Sequence, residues 1–516
     1  MNSKLIVIVA ALAGALSMPA LAAATPTPLV PPAIPGVAAL PGLPAAPAQS
    51  AASVGLLNTT PDVGVPGTSF TLSGGGLPAN KDVTITWSTA DVTWLVDARP
   101  DSVDYLGRQA TKYPVVLANA RTDANGSFTI GLVAPQDWGG IHDIYAVVDG
   151  YQVAKGGFLV ARSASISPKQ GPIGTMITVT YNGLGSSLYE GGASLLYDNK
   201  FAGAMMANWT RGVAVAHIRA SGPVGMHTIE VADAISFKYL NIQQSPIPWG
   251  LGDLFKFKVT KDLGRPAPQM DWPVNVAPTL DAKTTLQATG LAPGAGATAR
   301  LSSSAGIVNT KVDLSATGFT PGAAVSVQWS TVVGNRVNCT GTCWSFVSEP
   351  LGTATAGADG SVAAPITIPD GLGGWHVVQL LENGQVKAQV PYYVKRSIVG
   401  NGVSSLVLKA GQKFTVHLKG LGWTQLDNTI AVDYDNSYVG YGCGFNSNGD
   451  VVMNLVATGA PGTHLIDMYP LLYTQQPSYP NTPYGMVPIL TYAKDAPGLA
   501  LGYQLGAIRL AITVVK

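Results

Sequence analysis

Along most of the chain, apolar and polar residues alternate with a period of two. Thr68-Ser69-Phe70-Thr71-Leu72, Val83-Thr84-Ile85-Thr86-Trp87, Met176-Ile177-Thr178-Val179-Thr180 and Lys413-Phe414-Thr415-Val416-His417-Leu418 all read this way. Successive side chains of a strand point to opposite faces, so these runs predict strands with one face in a core and one in water. No window carries a sustained i, i+3, i+4, i+7 stripe with caps, and no amphipathic helix is expected. Asn125-Gly126 and Asp359-Gly360 lie between apolar stretches and predict tight hairpins. Short strands with frequent turn signals predict an all-β chain of antiparallel sandwiches. Residues 508–515 alternate as a closing strand, and 270–276 occupy the comparable place earlier in the chain. One such strand is expected for each half, packing the halves together.

The pattern repeats on a larger scale. Residues 124–162 align without a gap on 358–396, with 11 of 39 positions identical, among them Gly139/Gly373, Gly140/Gly374, His142/His376 and Arg162/Arg396. Trp87-Ser88-Thr89 recurs as Trp329-Ser330-Thr331, Tyr197-Asp198-Asn199 as Tyr434-Asp435-Asn436, and Gln243-Gln244 as Gln475-Gln476. The order is kept, which marks a duplicated block far longer than a solenoid repeat. Gly-x-His followed by alternation occurs four times, at His142, His227, His376 and His464. Each block is therefore itself double. The expected units are 55–162, 163–276, 306–396 and 397–516, with a connector at 277–305.

Composition narrows the function. Lys+Arg (30) nearly equals Asp+Glu (29), so the basic surface of a nucleic-acid binder is absent. Only 11% of residues are charged, against roughly 25% in an average soluble protein. Lys4, an apolar run over 5–16 and Ala20-Leu21-Ala22 form the pattern of a secretory signal over 1–22. The run is too short to span a bilayer. Residues 23–54 hold eight prolines and are expected to form a linker, since proline lacks a backbone donor. Export places the chain outside the cytoplasm: extracellular, on the cell surface or in a periplasm. In an oxidising compartment Cys339 and Cys343 are candidates to close a small disulfide loop, though pairing of either with Cys443 stays open.

Ile166-Ser167-Pro168, Gly171-Pro172, Gly174-Thr175, Ile177-Thr178-Val179 and Gly183-Leu184-Gly185 resemble the opening strands of bacterial immunoglobulin-like domains of the IPT/TIG kind. Pro61, Pro66-Gly67-Thr68 and Gly75-Gly76-Leu77 repeat that opening in the first unit, while the third and fourth lack the proline. The resemblance implies tandem immunoglobulin-like sandwiches with surface or binding roles, and no activity.

Candidate chemistry is sparse. Trp87 and Trp329 take equal places at strand ends and are expected to fill cores. The four repeated histidines are expected to hydrogen-bond neighbouring loops rather than hold a metal, because one per unit leaves them far apart along a string of units. The Tyr-Asp-Asn segments are expected to be turns. No His-Glu-x-x-His, Gly-x-Ser-x-Gly or Walker-type loop is present, so neither a catalytic residue nor a cofactor is nominated. Aromatic residues in expected loops are the candidate ligand contacts: Trp94, Tyr105, Trp138, Trp209, Trp344, Trp375 and Trp423, with the aromatic stretch 469–484. The expected function is a non-enzymatic surface binding or adhesion protein whose partner is a protein, a glycan or another copy of itself. A self-assembling surface subunit and a polysaccharide-binding accessory or hydrolase are the alternatives.

Overall fold

The computed structural model describes residues 55–99, 102–187, 191–232, 252–273, 296–334, 344–471 and 487–516, with isolated positions at 27–28, 237–238, 240–241 and 243. Most of the expected signal and linker, the Cys339–Cys343 loop and most of the connector lie outside these residues.

The chain is all-β and folds into four immunoglobulin-like sandwiches. In the first unit, Gly55–Thr60, Ser69–Gly74 and Phe128–Val133 form one three-stranded layer. Ser102–Arg121, Asp82–Arg99, Gly140–Val148 and Tyr151–Val160 form the facing layer. The alternation that marked these strands does the sorting. Phe70, Leu72, Ile85, Trp87, Ile144, Ala146 and Phe158 point between the layers, and their neighbours point out. The other units repeat the plan. Their three-stranded layers centre on Met176–Asn182, Lys311–Thr317 and Lys413–Lys419. Their facing layers are built around Gly225–Ala232, Gly374–Glu382 and Gly462–Pro470. Trp87 and Trp329 are buried on the third strand of their units, as expected.

Several expectations are corrected. Asn125-Gly126 is not a hairpin. Only Gly126 takes positive φ, at 72°. The flanking strands lie in opposite layers, and the Asp123 carboxylate closes the loop by accepting from the backbone N–H of Asn125 and Ser127. Asp359-Gly360 does the same, with Gly360 at φ 73°. A hairpin needs two flanks that can pair, and these flanks cannot. The tight hairpins sit instead at Asp149-Gly150, Asp198-Asn199, Asn383-Gly384 and Asp435-Asn436, where both residues have positive φ. The Tyr-Asp-Asn segments are thus turns. The connector expected over 277–305 already holds strands at Thr298–Leu301 and Ala305–Gly306. Its last residues alternate, and Ala299 and Leu301 pack against the third core.

The units are not strung out. Within each block the joint is the same: Gly139 bridges to Gly185, and Gly373 to Gly422. A Cβ on Gly139 would stand 1.6 Å from the carbonyl oxygen of Gly183, and one on Gly373 1.8 Å from that of Gly420. Only glycine permits backbones to meet so closely. The blocks also pack side by side. One core runs from Trp94 and Tyr105 through the second unit to Trp375, Tyr469, Tyr503 and Ala511. Arg219 of the second unit makes a buried ion pair with Asp467 of the fourth and donates to Leu510 O at 2.7 Å. Asn436 donates back to Arg219 O and Ser221 Oγ.

The closing strands meet, but unequally. Ala507–Val515 closes the fourth unit. Gln269–Asp271 pairs antiparallel with it, Met270 opposite Ile508. The second unit is closed by Asp253–Val259 instead. With that edge filled, the following strand joins the neighbour's sheet.

Candidate functional site

Each repeated histidine is held between two oxygen acceptors, the first of them at the same place in all four units. One ring nitrogen faces the carbonyl four residues back: Trp138, Pro223, Leu372 and Ala460, at 2.7–2.9 Å. The other faces Ser88 O or Ser330 O in the first and third units. In the second and fourth it faces the carboxylate of Asp198 or Asp435 at 2.6 Å. The same carboxylate accepts the backbone N–H of Thr228 or Leu465. Each ring also stacks on the aromatic residue of the third-strand position, Trp87, Tyr197, Trp329 or Tyr434, with centroids 4.4–5.6 Å apart. These histidines pin a loop to a sheet. Burial drives the His376 pKa down to about 4. Burial also opposes the charged form of His464, but the bond to Asp435 outweighs it and holds the pKa above the usual value. Among the described residues, no three His, Cys, Asp or Glu side chains gather as metal ligands do.

The candidate aromatic contacts are placed differently from expectation. Trp94, Tyr105, Trp138, Trp209, Trp375 and Trp423 are buried, and Trp344 is half-buried. Trp94 and Tyr105 sit on a long hairpin that reaches from the first unit across to the fourth. There the Trp94 Nε1–H donates to Asp495 O at 2.9 Å. Trp138 Nε1–H donates to Ala90 O at 2.7 Å. Trp209 donates its backbone N–H to the Asp495 carboxylate, whose pKa burial raises to about 7. Trp344 meets Trp423 edge-on at 5.6 Å, and Trp375 meets Tyr393 at 5.0 Å. Large rigid aromatics suit any interface, and here most of the interfaces are between units of the same chain; Trp138 instead packs on Ala90 and Val92 of its own unit and borders an open cleft there. Tyr469 is likewise in the core, and 472–484 lie outside the described residues. Cys443 is exposed on Ser437–Cys443.

What the duplication exposes is a groove. On the first unit, beside its joint with the second, the outer face of Gly140–Val148 borders an open cleft of about 750 Å³. Its walls include Tyr113, Tyr145, Ile141, Leu159, Gln152 and Ser186. The corresponding face of the third unit is largely filled, with a smaller cleft of about 220 Å³ left beside Thr331, Val332 and Leu372. Trp423 stands where the first block has Ser186, and packs over Val332 and Val377 with Phe445. Trp375 stands where the first block has Ile141, and Tyr393 where it has Leu159. Both are covered by the segment before the last strand: Tyr503 lies 6.2 Å from the Tyr393 ring, and Gln504 N–H donates to Tyr393 Oη. Ile141 is accordingly 77% exposed and Trp375 1%.

The open groove is mixed in charge. Asp143 pairs with Lys155 at 3.0 Å. At the other side Tyr113 Oη donates to Asp91 and accepts from Arg211 at 2.6 Å. Burial raises the Tyr113 pKa, keeping it a neutral phenol. Such a surface offers aromatic faces and a ring of hydrogen-bonding groups without a dominant sign. The sequence did hold a signal for it, in the positions where the aligned copies exchange Trp for Ser and Trp for Ile.

No protein-family model and no curated protein matches the chain. Among solved structures, Escherichia coli alpha-2-macroglobulin in its native conformation aligns with 88% of this chain at 6% identity and TM-score 0.16. This chain spans 30% of that protein's length. The N-terminal eight Ig domains of Down Syndrome Cell Adhesion Molecule align with 81% of this chain and 59% of their own at 10% identity and TM-score 0.17. A further Dscam structure aligns with 79% of this chain and 92% of its own at 14% and 0.16. Values this low speak to neither ancestry nor activity.

Proposed function

We propose that the chain is an exported, non-enzymatic binding protein of the cell surface or extracellular space, and that it holds its partner in the groove of the first unit. The observation that carries this reading is the contrast between copies. One block spends Trp423, Trp375 and Tyr503 on sealing a face that the other leaves open. Concave sites that mix aromatic walls with a few polar groups are where ligands are usually taken. The balance of charge favours an uncharged partner, a neutral glycan chain or a peptide strand, over a polyanion.

The reading is tested by probing arrayed neutral glycans and extracellular proteins with the full chain, with Tyr145→Ala and with Ser186→Trp. Retention of a ligand by the parent and its loss in both variants is the expected result. Retention untouched by either change, or turnover of the retained ligand, overturns it.

A further inference from the structure

We infer that the second unit carries a docking surface for an anionic lipid bilayer, on the face formed by its last two strands. Asp253–Val259 turns Leu254, Lys256 and Lys258 outward, and its neighbour Gly225–Ala232 turns Met226 and Thr228 the same way. Met226 lies opposite Lys258, and Thr228 opposite Lys256. Lys169 adjoins them, since its carbonyl accepts the Lys258 N–H at 3.0 Å. Lys261 follows in the same stretch and accepts from Ile173 N–H. All four lysines are exposed. None makes an ion pair among the described residues.

The acids nearby, Asp253 of the same strand among them, have partners of their own. Glu230 is held by Lys238 and Gly252 N–H. Asp198 serves His227 and Thr228. Asp262 accepts from the backbone and hydroxyl of Thr463 at 2.8 Å each. The net charge of the chain is +1, and on this face four exposed lysines outnumber the carboxylates of Asp198, Asp253 and Asp262.

The lysines are interleaved with apolar tips. Val224 is 59% exposed, Met226 60%, Leu254 53% and Leu263 65%. A soluble polyanion would be satisfied by the lysines and gives the apolar side chains nothing to enter. A bilayer with anionic headgroups answers both: lysines meet phosphates, and the apolar tips reach the boundary of the acyl chains. The groove of the first unit is on a different unit and is left free for its own ligand.

The test uses the full chain and sedimentation with two kinds of vesicle, phosphatidylcholine alone and phosphatidylcholine mixed with phosphatidylglycerol. The expected result is binding to the mixed vesicles only, weakened about tenfold or more by Lys256→Glu with Lys258→Glu, as the loss and reversal of headgroup contacts requires. Met226→Ser with Leu263→Ser should also weaken it while leaving the thermal melt unchanged. Absence of vesicle binding, binding indifferent to both pairs, or retention on dextran sulfate without vesicle binding overturns the inference.

Discussion

At the scale of single residues, the four pinned histidines divide by partner, and for His376 and His464 the surroundings set the response to pH. His376 faces only carbonyls inside the protein, and its folded pKa falls to about 4, against about 6.5 in an unfolded chain. Above that value both states hold it neutral. As pH falls below it, the unfolded chain takes a proton that the fold refuses, and stability drops until about pH 4. The loss is on the order of 3 kcal/mol. His464 faces the Asp435 carboxylate and its pKa is raised. Its contribution is complete below the unfolded value and disappears as pH rises through the folded one. Melting temperatures measured across pH should therefore show His376→Gln flattening the acid limb and His464→Gln flattening the limb near neutrality. Asp433 is fully buried with neither carboxylate oxygen bonded, and burial beside Asp467 holds its pKa well above the usual range. A raised carboxyl pKa costs the fold stability at any pH above the unfolded value, so Asp433→Asn should raise the melting temperature near neutrality, and the gain should fade as pH drops towards the unfolded carboxyl range.

At the scale of elements, the joint within each block depends on backbone contact. Gly373→Ala places a methyl group 1.8 Å from the Gly420 carbonyl. The two units must then separate, which should raise amide exchange at Gly373, whose N–H donates across the joint to Leu421 O, while the sandwich strands stay protected. The groove is an element-scale feature as well. Trp423→Ser is expected to reopen the sealed counterpart and cost about 3–5 kcal/mol, the usual range for emptying a buried Trp site. Strand faces were legible from alternation because a core on one side writes its own pattern. The Asn125-Gly126 hairpin was misread because turn residues report local conformation and carry no information on which layer the next strand joins. The tryptophans were misplaced for a related reason. A residue bound for an internal interface and one bound for a ligand obey the same chemistry, and only the partner's position distinguishes them.

At the scale of the whole molecule, four small sandwiches behave as one body because charged and apolar contacts cross between the blocks. Sequence order revealed the duplication, and the closing strands pointed to contact between the halves, yet the buried ion pair that joins them left no trace: Arg219 and Asp467 are 248 residues apart, and neither belongs to a motif. Their pair is buried with Arg509, which also reaches the half-buried Asp271. Breaking it by Asp467→Ala leaves buried positive charge uncompensated, at a cost of about 3–5 kcal/mol. The expected outcome by small-angle scattering is an expanded particle in which the individual sandwiches survive; an unchanged radius would show that the apolar interface suffices. The strand Gln269–Asp271 adds a constraint of timing. Asp271 and its partner Arg509 are separated by 238 residues. A nascent chain must therefore hold that short segment unmatched while the whole third sandwich and all but the last strand of the fourth are made beyond it. Any shortening that removes 507–515 would leave the earlier half with a dangling end and the later half with a missing seam, coupling the fate of the two halves at a single place.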